Sequence, residues 1–144
     1  MYFKDAILSG DFNRARELSS NMDGESLLEA LFLIAYEEES IAPYGFANFQ
    51  LLEEETSENH YVISFILSMA LNYLEGAYQT SFHHAKKAIE LSPYDISYKE
   101  YLLYFNALPE KLLKNEEAIE VANLILVKDP TNTTALKVIN ELKN

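Results

Sequence analysis

The sequence predicts an all-α protein of about eight or nine helices. Apolar residues recur at helical spacing, most regularly in the second half of the chain. The 144 residues include 4 Gly and 4 Pro, which are few turn-forming residues for an architecture of strands and tight turns. Apolar residues make up 49% of the chain, enough for one continuous core. We therefore expect a single helical domain over residues 1–144.

Capping and terminating residues divide the second half of the chain into helices. Ser57, Asp95 and Asn115 are the expected N-caps, and Pro93 and Pro130 follow the ends of two helices. The expected helices span residues 57–76, 78–91, 95–107, 116–128 and about 133–142.

Two of these segments repeat each other at a distance of 37 residues. Ser81–Asp95 aligns with Ala118–Asn132, which superimposes Pro93 on Pro130. The same alignment pairs apolar and small residues: Ala85 with Ala122, Ala88 with Ile125, and Ile89 with Leu126.

The order of glycine, aromatic, small residues and proline in this repeat resembles the tetratricopeptide repeat. Those places are filled by Gly76, Tyr78, Ala85, Ala88 and Pro93 in one unit, by Ala118, Ala122 and Pro130 in the next, and by Gly10, Phe12 and Ala15 in a degenerate leading unit. The resemblance implies a right-handed superhelix of antiparallel helix pairs over residues 57–144. A generic helical bundle remains the alternative.

Residues 1–56 fit the repeat less well and form a degenerate, acidic helical region. One helix is expected to end at Glu37–Glu39. Pro43–Gly45 is expected to break the chain before a short helix that begins at Phe46.

The charge of the chain is concentrated in one stretch of sequence. The formal net charge is −12, and the segment Glu17–Ala85 contains 12 acids but no Lys or Arg. The remainder of the chain balances 11 acids with 11 bases. Such a segment disfavours nucleic acid and anionic membranes and attracts a basic protein partner. The alternative is that the acidity serves only solubility.

Residue types that carry chemistry are scarce, so we expect neither an enzyme nor a cofactor or metal site. There is no Cys, no Gly-rich phosphate loop and no nucleophile elbow. The adjacent His83 and His84 point about 100° apart on a helix and are expected at the surface, while His60 lacks zinc-motif spacing. Met1–Ser9 lacks the apolar stretch of a signal peptide, and Tyr61–Leu74 is too short and polar to span a bilayer, so we expect a cytoplasmic protein.

Binding to another protein is the predicted function. The candidate contact residues are acids and aromatics in and beside the acidic segment: Glu37, Glu38, Glu39, Tyr44, Phe46, Phe49, Glu53, Glu54, Glu55, Glu58 and Tyr73. For the aromatics, packing in the core is the favoured alternative. The charge and size resemble those of small acidic immunity proteins, which implies an inhibitor that covers the cleft of a basic toxin domain such as a nuclease.

The alternative function is a repeat scaffold or secretion-chaperone adaptor with an apolar groove. The resemblance to the repeat family places that groove on the first helix of each pair, where it would be lined by Ile63, Ile66, Ala70, Tyr73, Leu103 and Ala107. Nothing in the sequence indicates the oligomeric state.

Overall fold

The computed structural model describes residues 2–143, and within them it contains nine α-helices and no β-strand. The prediction of an all-α protein is confirmed. In chain order the helices are α1 (Phe3–Leu8), α2 (Phe12–Leu18), α3 (Gly24–Glu38), α4 (Ala42–Glu53), α5 (Ser57–Met69), α6 (Ala77–Leu91), α7 (Ile96–Ala107), α8 (Asn115–Lys128) and α9 (Thr133–Lys143). Among the helices of this part of the chain, none combines the length and apolar character needed to cross a membrane.

The chain divides into two compact units. Unit 1 is Met1–His84 and unit 2 is Ala85–Asn144, so that α6 contributes to both. Unit 1 contains 3 bases and 14 acids, a formal charge of −11, whereas unit 2 contains 8 bases and 9 acids, a formal charge of −1. Nearly all of the net charge therefore belongs to unit 1.

Polar side chains cap several helices at their first turn. Asp23, Thr56 and Asp95 each accept a hydrogen bond from a backbone N–H of α3, α5 and α7, respectively. Asn132 does the same for α9. Pro43, which was expected to break the chain, instead lies in the first turn of α4, where its missing N–H forfeits no helical hydrogen bond.

Several predicted helix boundaries differ from those observed. Ser57, the expected N-cap of α5, is its first residue, and Thr56 is the cap. Helix α5 ends at Met69 and not at Gly76, because the N–H of Leu71 bonds to the carbonyl of Ile66 and the Asn72 amide bonds to the carbonyl of Ser68. These bonds satisfy carbonyls that a longer helix would have used. Asn115, the expected N-cap of α8, is its first residue, and its side chain accepts instead from the buried Asn106.

Phenylalanine rings form the centre of unit 1. Phe46 is fully buried, and its ring centroid lies 5.9 Å from that of Phe3, 5.8 Å from Phe12 and 6.2 Å from Phe49. A Cβ placed on Gly45 would lie 3.1 Å from Cζ of Phe12, so the glycine lets this ring pack directly against α4. The aromatic cluster thus joins α1, α2 and α4.

Helices α5 and α6 meet at two buried serines. Oγ of Ser64 lies 2.8 Å from the carbonyl oxygen of Ser81, and Oγ of Ser81 lies 2.7 Å from the carbonyl oxygen of Ser64. Such reciprocal contacts require close helix backbones, which only small side chains permit at the crossing point.

The period of 37 residues recurs in the structure of α6–α9. Helix α6 ends at Leu91 and α8 at Lys128, while α7 begins at Ile96 and α9 at Thr133. The aligned positions are also buried alike: Ser81 with Ala118, Ala85 with Ala122, and Ala88 with Ile125. The sequence repeat therefore corresponds to a repeat of helix boundaries and burial.

Candidate functional site

The glutamates of the acidic segment lie at opposite ends of α4. The first triplet, Glu37–Glu39, precedes this helix, and the second triplet, Glu53–Glu55, begins at its last residue. A helix of 12 residues is about 18 Å long, so the two triplets do not form one patch. One acidic stretch of sequence becomes two acidic surfaces.

Two acids of the second triplet, and the nearby Glu58, have favourable surroundings within unit 1. A carboxylate oxygen of Glu53 lies 3.4 Å from the guanidinium of Arg16. Oε2 of Glu55 lies 2.8 Å from Nε2 of His60. The carboxylate of Glu58 sits beside Gly24, the first residue of α3, where the helix dipole favours negative charge. Three of the predicted contact residues therefore have structural roles.

The negative charge of the first triplet is compensated much less by nearby basic residues. Glu38 pairs with Lys4, and their hydrogen bond is the main reason that the pKa of Lys4 is raised. Glu37 and Glu39 are exposed, and neither has an ion pair among residues 2–143. All three glutamates stand at the carboxyl end of α3, where the helix dipole disfavours negative charge.

Glu39 is also held in an unfavourable backbone conformation. As the C-cap of α3 it has a φ of 50°, in the left-handed region. Glycine is the usual residue at such helix ends, since a Cβ there is crowded by the backbone. A glutamate at this position lowers local stability through both its charge and its backbone.

A small apolar pocket is lined by residues that follow Glu39 in the chain, beginning with Ile41. We call it the Tyr44 pocket; it has a volume of about 160 Å³ and is lined by Ile41, Tyr44, Leu67, Leu74, Glu75, Gly76, Ala77 and Thr80. Ile41 is 54% exposed, and Leu74 and Glu75 are exposed as well. In this pocket, residues of the α3–α4 connection lie next to residues of the α5–α6 connection, and Glu75 is the acidic residue of the lining.

The four predicted aromatic contacts divide between core and surface. Phe46 is fully buried. For this residue the structure therefore has the core packing that was the favoured alternative to a surface role. Phe49 is partly buried, with the guanidinium of Arg16 4.7 Å from its ring centroid. Tyr44 is half-buried in the pocket, and Tyr73, one residue before Leu74, is 58% exposed. Tyr44 and Tyr73 thus lie at one end of unit 1.

Most of the residues expected to line an apolar groove on α5 and α7 are not exposed. Ile63, Ile66, Ala70 and Leu103 are buried, and the first three belong to the hydrophobic core of unit 1. Tyr73 and Ala107, the other two expected lining residues, are exposed.

A chain of hydrogen bonds connects three titratable side chains near the second triplet. Glu55 contacts Nε2 of His60, and Nδ1 of His60 lies 2.8 Å from Nδ1 of His84. His60 is 3% exposed. Burial, followed by the nearby charges of His60 and His83, lowers the pKa of His84 to about 4. His84 is therefore a neutral imidazole at pH 7, in which one ring nitrogen donates a hydrogen bond and the other accepts one.

This histidine chain was not predicted from the sequence, which placed His84 at the surface. The signal available was spacing: His60 lies four residues before Ser64, and His84 lies three residues after Ser81, so both share a helix face with a buried serine. Within residues 2–143, no group of three or more His, Asp or Glu side chains is arranged to hold a metal ion.

Comparison with known proteins adds no relationship. No protein-family model, curated protein or solved structure matches the chain.

Proposed function

We propose that this protein is a non-enzymatic binding module that engages a basic protein partner through the Tyr44 pocket and the glutamates around it. The observation that carries the proposal is the acidic end of α3. Three glutamates oppose the helix dipole there, and Glu39 adopts a left-handed backbone two residues before Ile41, which lines an apolar pocket. Local conformational and electrostatic costs of this kind concentrate at functional sites.

The composition of this surface suits a protein interface. Interfaces combine an apolar centre with a polar rim. Ile41, Tyr44 and Leu74 supply the apolar centre, Glu75 lies in the lining, and the exposed Glu39 precedes Ile41 by two residues in the chain. A rim of one sign of charge selects a partner of the opposite sign and speeds its association.

The specific form of the proposal is an acidic inhibitor, such as an immunity protein, that covers the cleft of a basic toxin domain. A nuclease cleft is positively charged because it binds phosphates. The formal charge of −11 in unit 1 gives the protein the complementary field for such a target. Size and charge support this form of the proposal, and no catalytic motif competes with it.

We further propose a tetratricopeptide-like architecture, a right-handed superhelix of helix pairs. The recurrence of helix boundaries and buried positions at 37 residues in α6–α9 supports it. The left-handed Gly10 (φ 77°) and Gly76 (φ 82°), each just before a helix with a buried small residue, support a degenerate leading unit.

The proposal is tested by isolating the partner that co-purifies with the native protein and measuring its association rate against ionic strength. We expect a basic partner whose association rate falls at least tenfold between about 50 mM and 500 mM salt. An acidic partner, or an association rate that does not change with salt, contradicts the proposal.

A further inference from the structure

Unit 2 has an exposed apolar cleft that the proposed function does not use. We call it the Tyr94 cleft; its volume is about 510 Å³, and it is lined by Pro93, Tyr94, Ile96, Lys99, Leu124, Val127 and Lys128. Tyr94 is 83% exposed and Val127 is 84% exposed. Apolar side chains grouped at this exposure are typical of interaction sites, and a tyrosine is a frequent anchor of binding energy.

The lining of this cleft has two charged groups, and both are ammonium groups. Lys99 donates a hydrogen bond to the carbonyl of Pro93, and Lys128 donates one to the carbonyl of Tyr94. These carbonyls belong to consecutive residues, so the α6–α7 turn gathers both ammonium groups at one side of the cleft. Each ammonium group retains N–H donors for another acceptor, since it carries three.

The acids near this turn have other partners. The Asp95 carboxylate accepts hydrogen bonds from the backbone N–H and hydroxyl of Ser97, which lower its pKa, with smaller contributions from Lys128 and Lys99. Glu100 and Asp129 each accept a hydrogen bond from the side chain of Asn132. Asp95 is the carboxylate whose pKa these two ammonium groups lower, and none of the three acids lines the cleft, whose charged lining residues are Lys99 and Lys128.

We infer that the Tyr94 cleft binds a short protein segment that combines apolar side chains with a carboxylate. The apolar side chains would cover Tyr94, Leu124 and Val127, and the carboxylate would accept hydrogen bonds from Lys99 and Lys128. Charge complementarity selects this occupant, because the cleft lies in the unit whose formal charge is −1 and its own charged lining is cationic. The inference is independent of the basic partner proposed for unit 1.

The test uses the full chain and three fluorescent peptides of ten residues that share a leucine and phenylalanine pattern. The peptides differ at two positions, which are both Glu, both Gln or both Lys, and binding is measured by anisotropy. We expect the Glu peptide to bind at least tenfold more tightly than the Gln peptide, and the Lys peptide to bind more weakly still. The double variant Lys99→Gln/Lys128→Gln should lose the preference for Glu over Gln, whereas the control Lys137→Gln/Lys143→Gln in α9 should keep it.

Because Lys99 and Lys128 also hold the α6–α7 turn, a second variant separates binding from folding. Val127→Gln changes a side chain that is almost fully exposed, so it should leave the free energy of unfolding unchanged. It should weaken the binding of the Glu peptide at least fivefold. Equal binding of the Lys and Glu peptides, or unchanged binding to Val127→Gln, overturns the inference. So does a dimer that Val127→Gln dissociates in sedimentation, since the cleft would then be covered by a second copy.

Discussion

Nδ1 of His60 and Nδ1 of His84 lie 2.8 Å apart, a distance at which one nitrogen donates a proton and the other accepts it. The remaining ring nitrogen of His60 contacts Glu55. Burial of His84 disfavours its imidazolium form and lowers its pKa to about 4. The histidine pair therefore links the packing of these two helices to pH.

The first prediction follows from the lowered pKa of His84. Its folded pKa of about 4 is below the ordinary histidine pKa of 6.5, so between these values the unfolded chain binds more protons than the folded protein. The contribution of His84 therefore makes stability fall as the pH is lowered from 6.5 towards 4. Urea unfolding at pH 7, 6, 5 and 4 measures this loss.

Comparison with two variants isolates the histidine from the many carboxylates. His84→Asn keeps a donor near Nδ1 of His60 but does not titrate, so its stability should depend less on pH over this range. His83→Asn, a change at the exposed neighbour, should retain most of the wild-type dependence. Identical pH profiles for the wild type and His84→Asn would contradict the assignment.

The second prediction concerns the backbone of Glu39. Glu39→Gly should raise the free energy of unfolding by about 1 kcal/mol, because glycine adopts a left-handed φ without strain and the change removes a charge that opposes the α3 dipole. Glu54→Gly is the matched control: it removes a charge from the C-cap of α4, where φ is −151° and glycine relieves nothing. A control variant that is stabilised as much as Glu39→Gly would show that the backbone of Glu39 is not strained.

The third prediction separates core aromatics from surface aromatics. Phe46→Ala should lower the free energy of unfolding by about 3–5 kcal/mol, since it removes the centre of the phenylalanine cluster. Tyr73→Ala should change it by no more than about 0.5 kcal/mol. Chemical denaturation of both variants gives the comparison, and a large loss in Tyr73→Ala would mean that this side chain is structural.

The fourth prediction tests the close contact between α5 and α6. Ser81→Ala removes a hydrogen bond to the Ser64 carbonyl and should cost about 1 kcal/mol of stability. Ser81→Val also adds volume at the crossing point and should cost about 1–3 kcal/mol more. If the two variants are equally stable in thermal unfolding, the helices are not packed as closely as the serine contacts indicate.

Local features of the fold were predictable from the sequence. The all-α class followed from apolar periodicity, and the ends of α6 and α8 followed from Pro93 and Pro130. The 37-residue alignment correctly paired positions that are buried in both helices, such as Ala85 and Ala122. Periodicity and helix-stop residues act within one turn of the chain, which is why sequence alone identifies them.

Contacts between distant residues were not predictable in this way. Lys4 and Arg16 precede the acidic segment, yet Lys4 reaches Glu38 and Arg16 reaches Glu53. The contact of His60 with His84 depends on the register between α5 and α6, which no single helix encodes. Ile63 and Ile66 were expected to line an open groove, but periodicity cannot distinguish an apolar face that is covered by other helices from one that is exposed.

The proposed binding surface is tested most directly by the affinity of the native partner for two triple variants of equal charge. One is Glu37→Gln/Glu39→Gln/Glu75→Gln, at the carboxyl end of α3 and in the lining of the Tyr44 pocket, and the other is Glu110→Gln/Glu116→Gln/Glu120→Gln, three exposed positions of unit 2. We predict that the first set weakens binding at least tenfold, which corresponds to about 1.4 kcal/mol, and that the second changes it less than about twofold. Equal affinities for the two variants would contradict the assignment of the binding surface to the acidic end of unit 1.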